Sequence, residues 1–556
     1  MGKYRLISPS ALAKRGFDKW QLLFLIFAVV YACALLVNLS YMSIQWDEVS
    51  HLNGGLYLLQ GDFQRYFSNN AFYPPLFDIF AAGFFSIGGA SVLVNRLVSV
   101  VFSLLTLYMV FEFGSRIYGR KASLLASIFL GVMPGYFWLS RMAMIEPMLI
   151  FFFTLSAFSF YAWLRTDKVK WVLVSGVAVG LGILTKYQVI IVAPIMLMAL
   201  ALLGREHLKK KLTRLPLLIV TAVLVFLPWV VVSYQLYASG MLNTWIYALN
   251  IGNPDKLLYS LGLSSSGLGR FPNWFYVFPT WMQTPMFYFA ELTVPYVNIH
   301  PISFFLFALG LLGLGFFVWR RKTLDKYLLL WFVVIYVFFT VIPNRQWRYM
   351  VPAFPVLAIS AAALLSSAFN GAVELLKNKH LSVNQKRYVQ ASALFLVAIT
   401  AVAAAFSVSD AASWVSEDQI HIPIQEATNF AAVHLGANQS IMVMCSQNLF
   451  SQDMVKFYLN AQGKKNVVIQ YPTAPVDTYT PVFNITDFVS LCQSNNVKYV
   501  FTYEYGGDVP YFNTTLSLRS IYQMLYDSGK FTQLYDKQTY WFGAYPRRIF
   551  VLTFLG

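Results

Sequence analysis

Six charged residues, Asp47, Glu48, Arg96, Glu146, Lys186 and Arg348, stand at or inside the ends of long apolar runs. Charge at such places is costly unless it is paired or used. Asp47 and Glu48 follow the first run, in Trp46-Asp47-Glu48, and Arg96 opens the second. Glu146 begins the fourth, after Ser140-Arg141 and ahead of Pro147, and Lys186 interrupts the apolar stretch 172–203. Arg348 lies just before the tenth, in Asn344-Arg345-Gln346-Trp347-Arg348-Tyr349. A carboxylate where a helix meets water can take a proton from a hydroxyl, and gathered cations can hold a departing phosphate. Three acids and several cations drawn from distant segments to one aqueous boundary are suited to that pair of tasks.

The elements that must position them are membrane helices. Of the 556 residues 58% are apolar, 17% aromatic and only 12% charged, against about 25% charged in soluble domains, and the mean hydropathy is +0.57. Disorder, collagen and coiled coil are excluded by the same figures. Before Asp410 lie 32 of the 41 basic and 13 of the 24 acidic residues, so the net +17 belongs to the apolar part. Basic residues there report topology rather than a nucleic-acid partner. The three cysteines, Cys33, Cys445 and Cys492, are too few for a disulfide framework or a Cys-rich metal site, and leave one conceivable bridge, Cys445 to Cys492.

A membrane crossing needs about 20 mostly apolar residues. Eleven segments qualify, at 21–41, 91–113, 122–138, 146–164, 171–185, 188–203, 213–236, 301–319, 327–343, 349–368 and 388–408. A twelfth, 72–89, is short, opens with Pro74-Pro75 and carries Asp78. If it does not cross, 24 basic residues share the side of the N-terminus and 8 face the other side; if it crosses, every later cluster changes sides. The positive-inside rule therefore places 72–89 on, or re-entering, the outer face. The expected fold class is an integral membrane α-helical protein with about eleven transmembrane helices and a re-entrant or interfacial first outer loop. It is a multi-pass protein of the cell membrane with a cytoplasmic N-terminus. Residues 1–410 form the membrane domain, and 411–556 a small α/β extracytoplasmic domain. In that tail, helix-like stretches at 424–435, 453–460 and 486–494 alternate with strand-like runs at 441–445, 466–470, 498–503 and 549–554.

The order of these motifs resembles a family. Asp47-Glu48, Tyr73-Pro74-Pro75-Leu76, Arg96, Ser140-Arg141 with Glu146, and Arg348-Tyr349-Met350-Val351-Pro352 ending at Pro355 are similar to the signature of C-type glycosyltransferases. The likeness is to the protein O-mannosyltransferase and lipid A aminoarabinose transferase superfamily, and by pattern it covers roughly 23–359. It implies transfer of a sugar from a polyprenyl-phosphate carrier to an acceptor on the non-cytoplasmic face, with inversion. Implied partners are the lipid-linked sugar, membrane lipid, and a glycan, glycolipid or protein hydroxyl as acceptor. An inverting displacement needs a carboxylate base and cations or a metal on the leaving phosphate. The expected catalytic residues are Asp47 as base, with Glu48 and Glu146 as further acids. The expected phosphate ligands are Lys186, Arg96 and Arg348, arginine being suited to bidentate contact. Glu146 stands where the family often carries Asp, one methylene shorter.

Plainer readings stand beside these. Asp47 also reads as a helix cap and Glu146-Pro147 as a helix start. Arg96, Lys186 and Arg348 also read as cations snorkelling to the interface. Asp78 and Arg65 read as solvated faces of the outer loop. His51, four residues after Asp47, makes a divalent metal with Asp47 and Glu48 conceivable, though not favoured over a solvated helix face; the cofactor is left open and no metal ligand is assigned. The aromatic loop 237–300 reads as a lid or as an interfacial belt. Rival functions are a transporter or lipid flippase, which would carry charge near the midplane and internal repeats, and a non-catalytic scaffold. An oligosaccharyltransferase would carry a Trp-Trp-Asp motif that the tail lacks.

Overall fold

The computed structural model describes residues 18–70, 73–204, 208–238, 241, 245, 286–293, 300–342, 345–377, 380–417, 421–444, 450–471, 483–505, 518–541 and 545–555. The chain is built mainly of helices. The first is α1 (Lys19–Leu36), started by a capping box in which Asp18 accepts from the Gln21 amide. Then come α2 (Trp46–Leu59), α3 (Phe63–Asn70) and α4 (Leu76–Gly88). Six apolar helices follow: α5 (Val92–Ser115), α6 (Arg120–Gly131), α7 (Pro134–Arg141), α8 (Glu146–Thr166), α9 (Val169–Thr185) and α10 (Val192–Leu203). Next are α11 (Leu208–Leu212), α12 (Leu215–Tyr237), α13 (Phe287–Thr293), α14 (Phe304–Arg320) and α15 (Thr323–Val341). A 3-10 turn, Trp347–Ala353, leads into α16 (Phe354–Lys377), and α17 (Val383–Glu417) closes the bundle.

Each of the eleven apolar segments falls on helix, but they are not alike. Among the described residues seven helices are long and apolar enough to cross a membrane, or eight if the bent pair α6 and α7 counts as one. That pair replaces the straight span expected at 122–138: the chain turns by 66° between them, because Pro134 can start a helix but cannot continue one. The apolar helices α9 and α14, and the 3-10 turn Tyr187–Ile191 with α10, are shorter.

Helix α4 is 13 residues long, about 20 Å at 1.5 Å per residue, and falls short of the roughly 30 Å hydrocarbon layer. It lies against α2, so close that a Cβ on Gly55 would come within 2.7 Å of the Ala81 Cβ. At one end of the bundle the basic helix ends are tied together: Asp18 pairs with Arg120, Tyr118 donates to Asp325 at 2.7 Å, and Lys210 pairs with Asp167 at 3.4 Å. Asp325 is also gripped by two nitrogens of Arg320 at 2.8 and 2.6 Å.

Past α17 the chain forms α18 (Ile424–His434), β1 (Ser440–Met444), α19 (Gln452–Ala461), β2 (Val468–Gln470), α20 (Ile485–Ser494), β3 (Val497–Tyr505), α21 (Leu518–Asp527), β4 (Phe531–Trp541) and β5 (Tyr545–Phe554). The strands make one sheet in the order β2-β1-β3-β5-β4, parallel on the β2 side and antiparallel on the β4 side. The expected helices and strands appear, and α21 and β4 are added to them. Edge strand β4 (FTQLYDKQTYW) is broken up by polar residues and carries no apolar run.

The core of this layer does not stop at its own boundary. Val49, Leu52 and Leu56 of α2 and Phe85 of α4 pack in the same apolar cluster as Ile441, Val443, Phe457 and Val500. Cys492 is a free, buried thiol, pushed up to about 12 by burial. Cys445, the other half of the conceivable bridge, lies outside the described residues, as does most of the loop 237–300.

Candidate active site

Glu48 and Asp47 are neighbours on α2, but about 100° apart around it, and they meet different partners. Glu48 is fully buried and takes a bidentate grip from Arg96, Nε to Oε1 at 2.8 Å and Nη2 to Oε2 at 2.7 Å. Its oxygens also accept from the Ala143 amide at 2.6 Å and the Gln45 amide at 2.9 Å. Arg96 is equally buried. Its remaining N–H groups go to the carbonyls of Leu39 (2.7 Å), Met42 (3.1 Å) and Ser43 (3.0 Å). All five guanidinium donors are thereby engaged, and none is left for a phosphate.

Arg141 performs a related task. It donates to the carbonyls of Ala34 (3.0 Å), Leu35 (2.8 Å) and Val37 (2.6 Å), the groups a helix C-terminus leaves without partners. The turn from α1 into α2 is therefore held by two buried arginines.

Asp47 faces the other way and pairs with Arg348 of the 3-10 turn Trp347–Ala353. The contact is open: the Asp47 side chain is 41% exposed and that of Arg348 25%. Arg348 Nε donates to Gln346 Oε1 at 2.6 Å, and its other three N–H donors have no hydrogen-bond partner among the described residues. A second pair lies alongside, Lys186 Nζ to Glu146 Oε1 at 3.0 Å, and is closed, with side chains 7% and 3% exposed. The Lys186 ammonium also stands 5.6 Å from the centre of the Tyr349 ring. Burial alone would raise the pKa of Asp47. The positive charge of Arg348, with Lys186 and His51 behind it, outweighs that and holds the carboxyl below its usual range.

Asp47, Glu146, Lys186 and Arg348 thus come together at one end of the bundle, two acids against two cations, while Glu48 and Arg96 pair apart from them. Each position follows from a local break in a helix. Glu146 starts α8 with Pro147 in its first turn; Lys186 is the extended residue between α9 and the 3-10 turn Tyr187–Ile191; Arg348 rides on a 3-10 turn that contains Pro352.

Two features depart from the sequence reading. Asp78 is not a solvated residue: it is buried, Oδ1 2.8 Å from His51 Nδ1 and Oδ2 accepting from the Tyr66 hydroxyl at 3.2 Å. Gln346, which orients Arg348, was not singled out, and a polar residue two before an arginine gives no signal in sequence. Arg65 does lie on an exposed face, near Asp62 at 3.5 Å. Asp47, Glu48 and His51 point to three separate partners, Arg348, Arg96 and Asp78, and among the described residues no group of three His, Cys, Asp or Glu side chains converges.

Residues 73–232 match the family described as dolichyl-phosphate-mannose-protein mannosyltransferase. That stretch contains Arg96, Glu146 and Lys186 but neither Asp47 nor Arg348. An undecaprenyl phosphate-alpha-4-amino-4-deoxy-L-arabinose arabinosyl transferase of Yersinia pestis is 24% identical over 258 residues, 45% of this chain and 41% of that protein. The chain therefore matches well under half the length of this curated relative. In three dimensions the likeness is broader. ArnT from Cupriavidus metallidurans in the apo state superposes with a TM-score of 0.59 at 15% identity, covering 96% of this chain and 97% of that one. The same protein bound to undecaprenyl phosphate gives 0.56 at 14% identity, covering 96% and 98%. The Archaeoglobus fulgidus oligosaccharyltransferase gives 0.53 at 17% identity, covering 87% and 69%. The fold is similar to that of ArnT over nearly the whole chain. The chain resembles the protein O-mannosyltransferase and aminoarabinose transferase superfamily of C-type glycosyltransferases, in sequence over part of its length and in fold over nearly all of it.

Proposed function

We propose that this multi-pass membrane protein is a glycosyltransferase that moves a sugar from a polyprenyl-phosphate donor to a hydroxyl of a glycan, glycolipid or protein, with inversion. The observation that carries the reading is the open Asp47–Arg348 pair beside the closed Glu146–Lys186 pair, with three donors of Arg348 uncommitted among the described residues. In the reaction the acceptor oxygen attacks the anomeric carbon as its proton passes to the Asp47 carboxylate. The bond from that carbon to the phosphate oxygen breaks, and the phosphate leaves with the electron pair. Arg348 and Lys186 neutralise it, and Glu146 holds Lys186 in place. Glu48 and Arg96 are positioning residues that fix the start of α2. This narrows the expectation that Glu48 works as a catalytic acid and Arg96 as a phosphate ligand, because their hydrogen-bonding groups are already taken.

The relatives support the donor class: one is named for an undecaprenyl-phosphate sugar, and ArnT has been seen with undecaprenyl phosphate bound. Charges gathered at one end of the bundle suit a lipid headgroup better than a transport path, which would place them near the midplane. The positive-inside count supports eleven crossings, a cytoplasmic N-terminus, a surface-lying α4, and a site on the outer face under residues 411–556. On this reading the tail is an extracytoplasmic α/β domain that shares its core with α2 and α4.

The test is transfer of radiolabelled sugar from a panel of polyprenyl-phosphate sugars by purified protein in lipid nanodiscs, with cell-envelope acceptor and with or without EDTA. Turnover of one donor, with release of free carrier phosphate, is expected. Folded protein that turns over no donor in the panel would remove the reading, and the EDTA arm decides the metal.

A further inference from the structure

Asp47 and Arg348 pair with each other in the site, yet the proposed reaction needs both of them elsewhere, the carboxylate on an acceptor proton and the guanidinium on a phosphate. We propose, resting on the transferase reading, that the carrier phosphate and Asp47 compete for Arg348, so that seating the donor is what releases the base.

Three observations carry this. First, the two ion pairs of the site differ in how readily they can open. Glu146–Lys186 is sealed, with side chains 3% and 7% exposed, and separating it would strand a charge in the protein interior. Asp47–Arg348 is partly exposed on both sides, 41% and 25%, so opening it strands less charge away from water than opening Glu146–Lys186 would. Second, Arg348 does not depend on Asp47 for its orientation. Gln346 Oε1 takes its Nε–H at 2.6 Å, so the guanidinium stays in place while its outer face changes partner. Third, the competitor is stronger. A phosphate matches the guanidinium fork and accepts two N–H bonds at once, and Lys186, which already acts on Asp47 through its charge, adds a second cation on the same side. In exchange Asp47 loses the cation that makes it a poor proton acceptor and becomes the base when a sugar is in place to be attacked. The acceptor is then activated only after the donor has arrived.

The discriminating experiment is equilibrium binding of sugar-free undecaprenyl phosphate to the full chain in nanodiscs, which needs no turnover. Wild type, Asp47→Asn, Arg348→Gln and the double variant are compared. Competition predicts that Asp47→Asn tightens binding by about 10-fold, on the scale of ordinary site-to-site coupling, and that this gain disappears in the Arg348→Gln background. Arg348→Lys, which keeps a point charge and is the milder substitution, should retain part of the gain. Equal affinity of wild type and Asp47→Asn overturns the proposal, and so does a gain that survives intact in Arg348→Gln, which would mark simple repulsion between Asp47 and phosphate. If wild type itself binds no undecaprenyl phosphate, the choice of donor class fails, and the competition fails with it.

Discussion

Two carboxylates one residue apart meet opposite fates, and so do the arginines that hold them. Glu48 and Arg96 are sealed, and every donor of that guanidinium is engaged. Asp47 and Arg348 are partly exposed, with donors to spare among the described residues. Each pair joins a carboxylate to an arginine. Saturation and exposure are what separate a strut from a working group: a saturated buried arginine cannot take a ligand without losing something, whereas an unsaturated exposed one can.

The contrast can be broken at four points, in falling order of expected effect. Asp47→Asn should lower kcat by about 10²- to 10⁴-fold, the ordinary contribution of a positioned general base, with no loss of thermal stability; a stopped assay and a melting curve read the two halves. Glu48→Gln should do the converse. It leaves Arg96 buried without its counter-charge, which costs about 3–5 kcal/mol, so the melting temperature and the monodisperse yield should fall.

Arg348→Gln should raise the donor KM by about 10- to 100-fold, as expected for losing charged hydrogen bonds worth roughly 1.5–3 kcal/mol. It should also move the acid limb of the kcat/KM profile. Asp47 is held below the usual carboxylate range largely by Arg348, so wild type keeps its base ionised to a lower pH than a free aspartate would. Removing the cation raises that pKa, and activity is then lost at higher pH as the solution is acidified. A limb that stays put, or moves toward acid, contradicts the assignment. The smallest effect is expected at Asp78→Asn, which weakens the His51 and Tyr66 contacts. It should cost about 1–3 kcal/mol of stability and move the acid limb less than Arg348→Gln does, since His51 is a smaller influence on Asp47 than Arg348.

The sequence carried the architecture because membrane helices announce themselves through composition. Asp47, Glu146, Lys186 and Arg348 were legible because charge at the end of an apolar run is rare. Their partners were not. Nothing in the spacing of Glu48 and Arg96 says that Leu39, Met42 and Ser43 will turn their carbonyls toward one guanidinium; that depends on how the chain leaves α1. Asp78 looked solvated because an acid in a short segment laid on the outer face can turn to water, and only the packing of α4 on α2 buries it against His51. The 66° bend between α6 and α7 had a visible cause in Pro134, but hydropathy averaging ran across it. Strand β4 escaped because polar residues interrupt its apolar ones.

The most direct test of the account is single-turnover sugar transfer by wild type, Asp47→Asn and Glu48→Gln, side by side at equal concentrations of folded protein. The account predicts that Asp47→Asn is well folded and nearly inert, while the folded fraction of Glu48→Gln transfers sugar close to the wild-type rate. Near-normal transfer by Asp47→Asn, with loss of chemistry in well-folded Glu48→Gln, would contradict it and make the buried acid the working one.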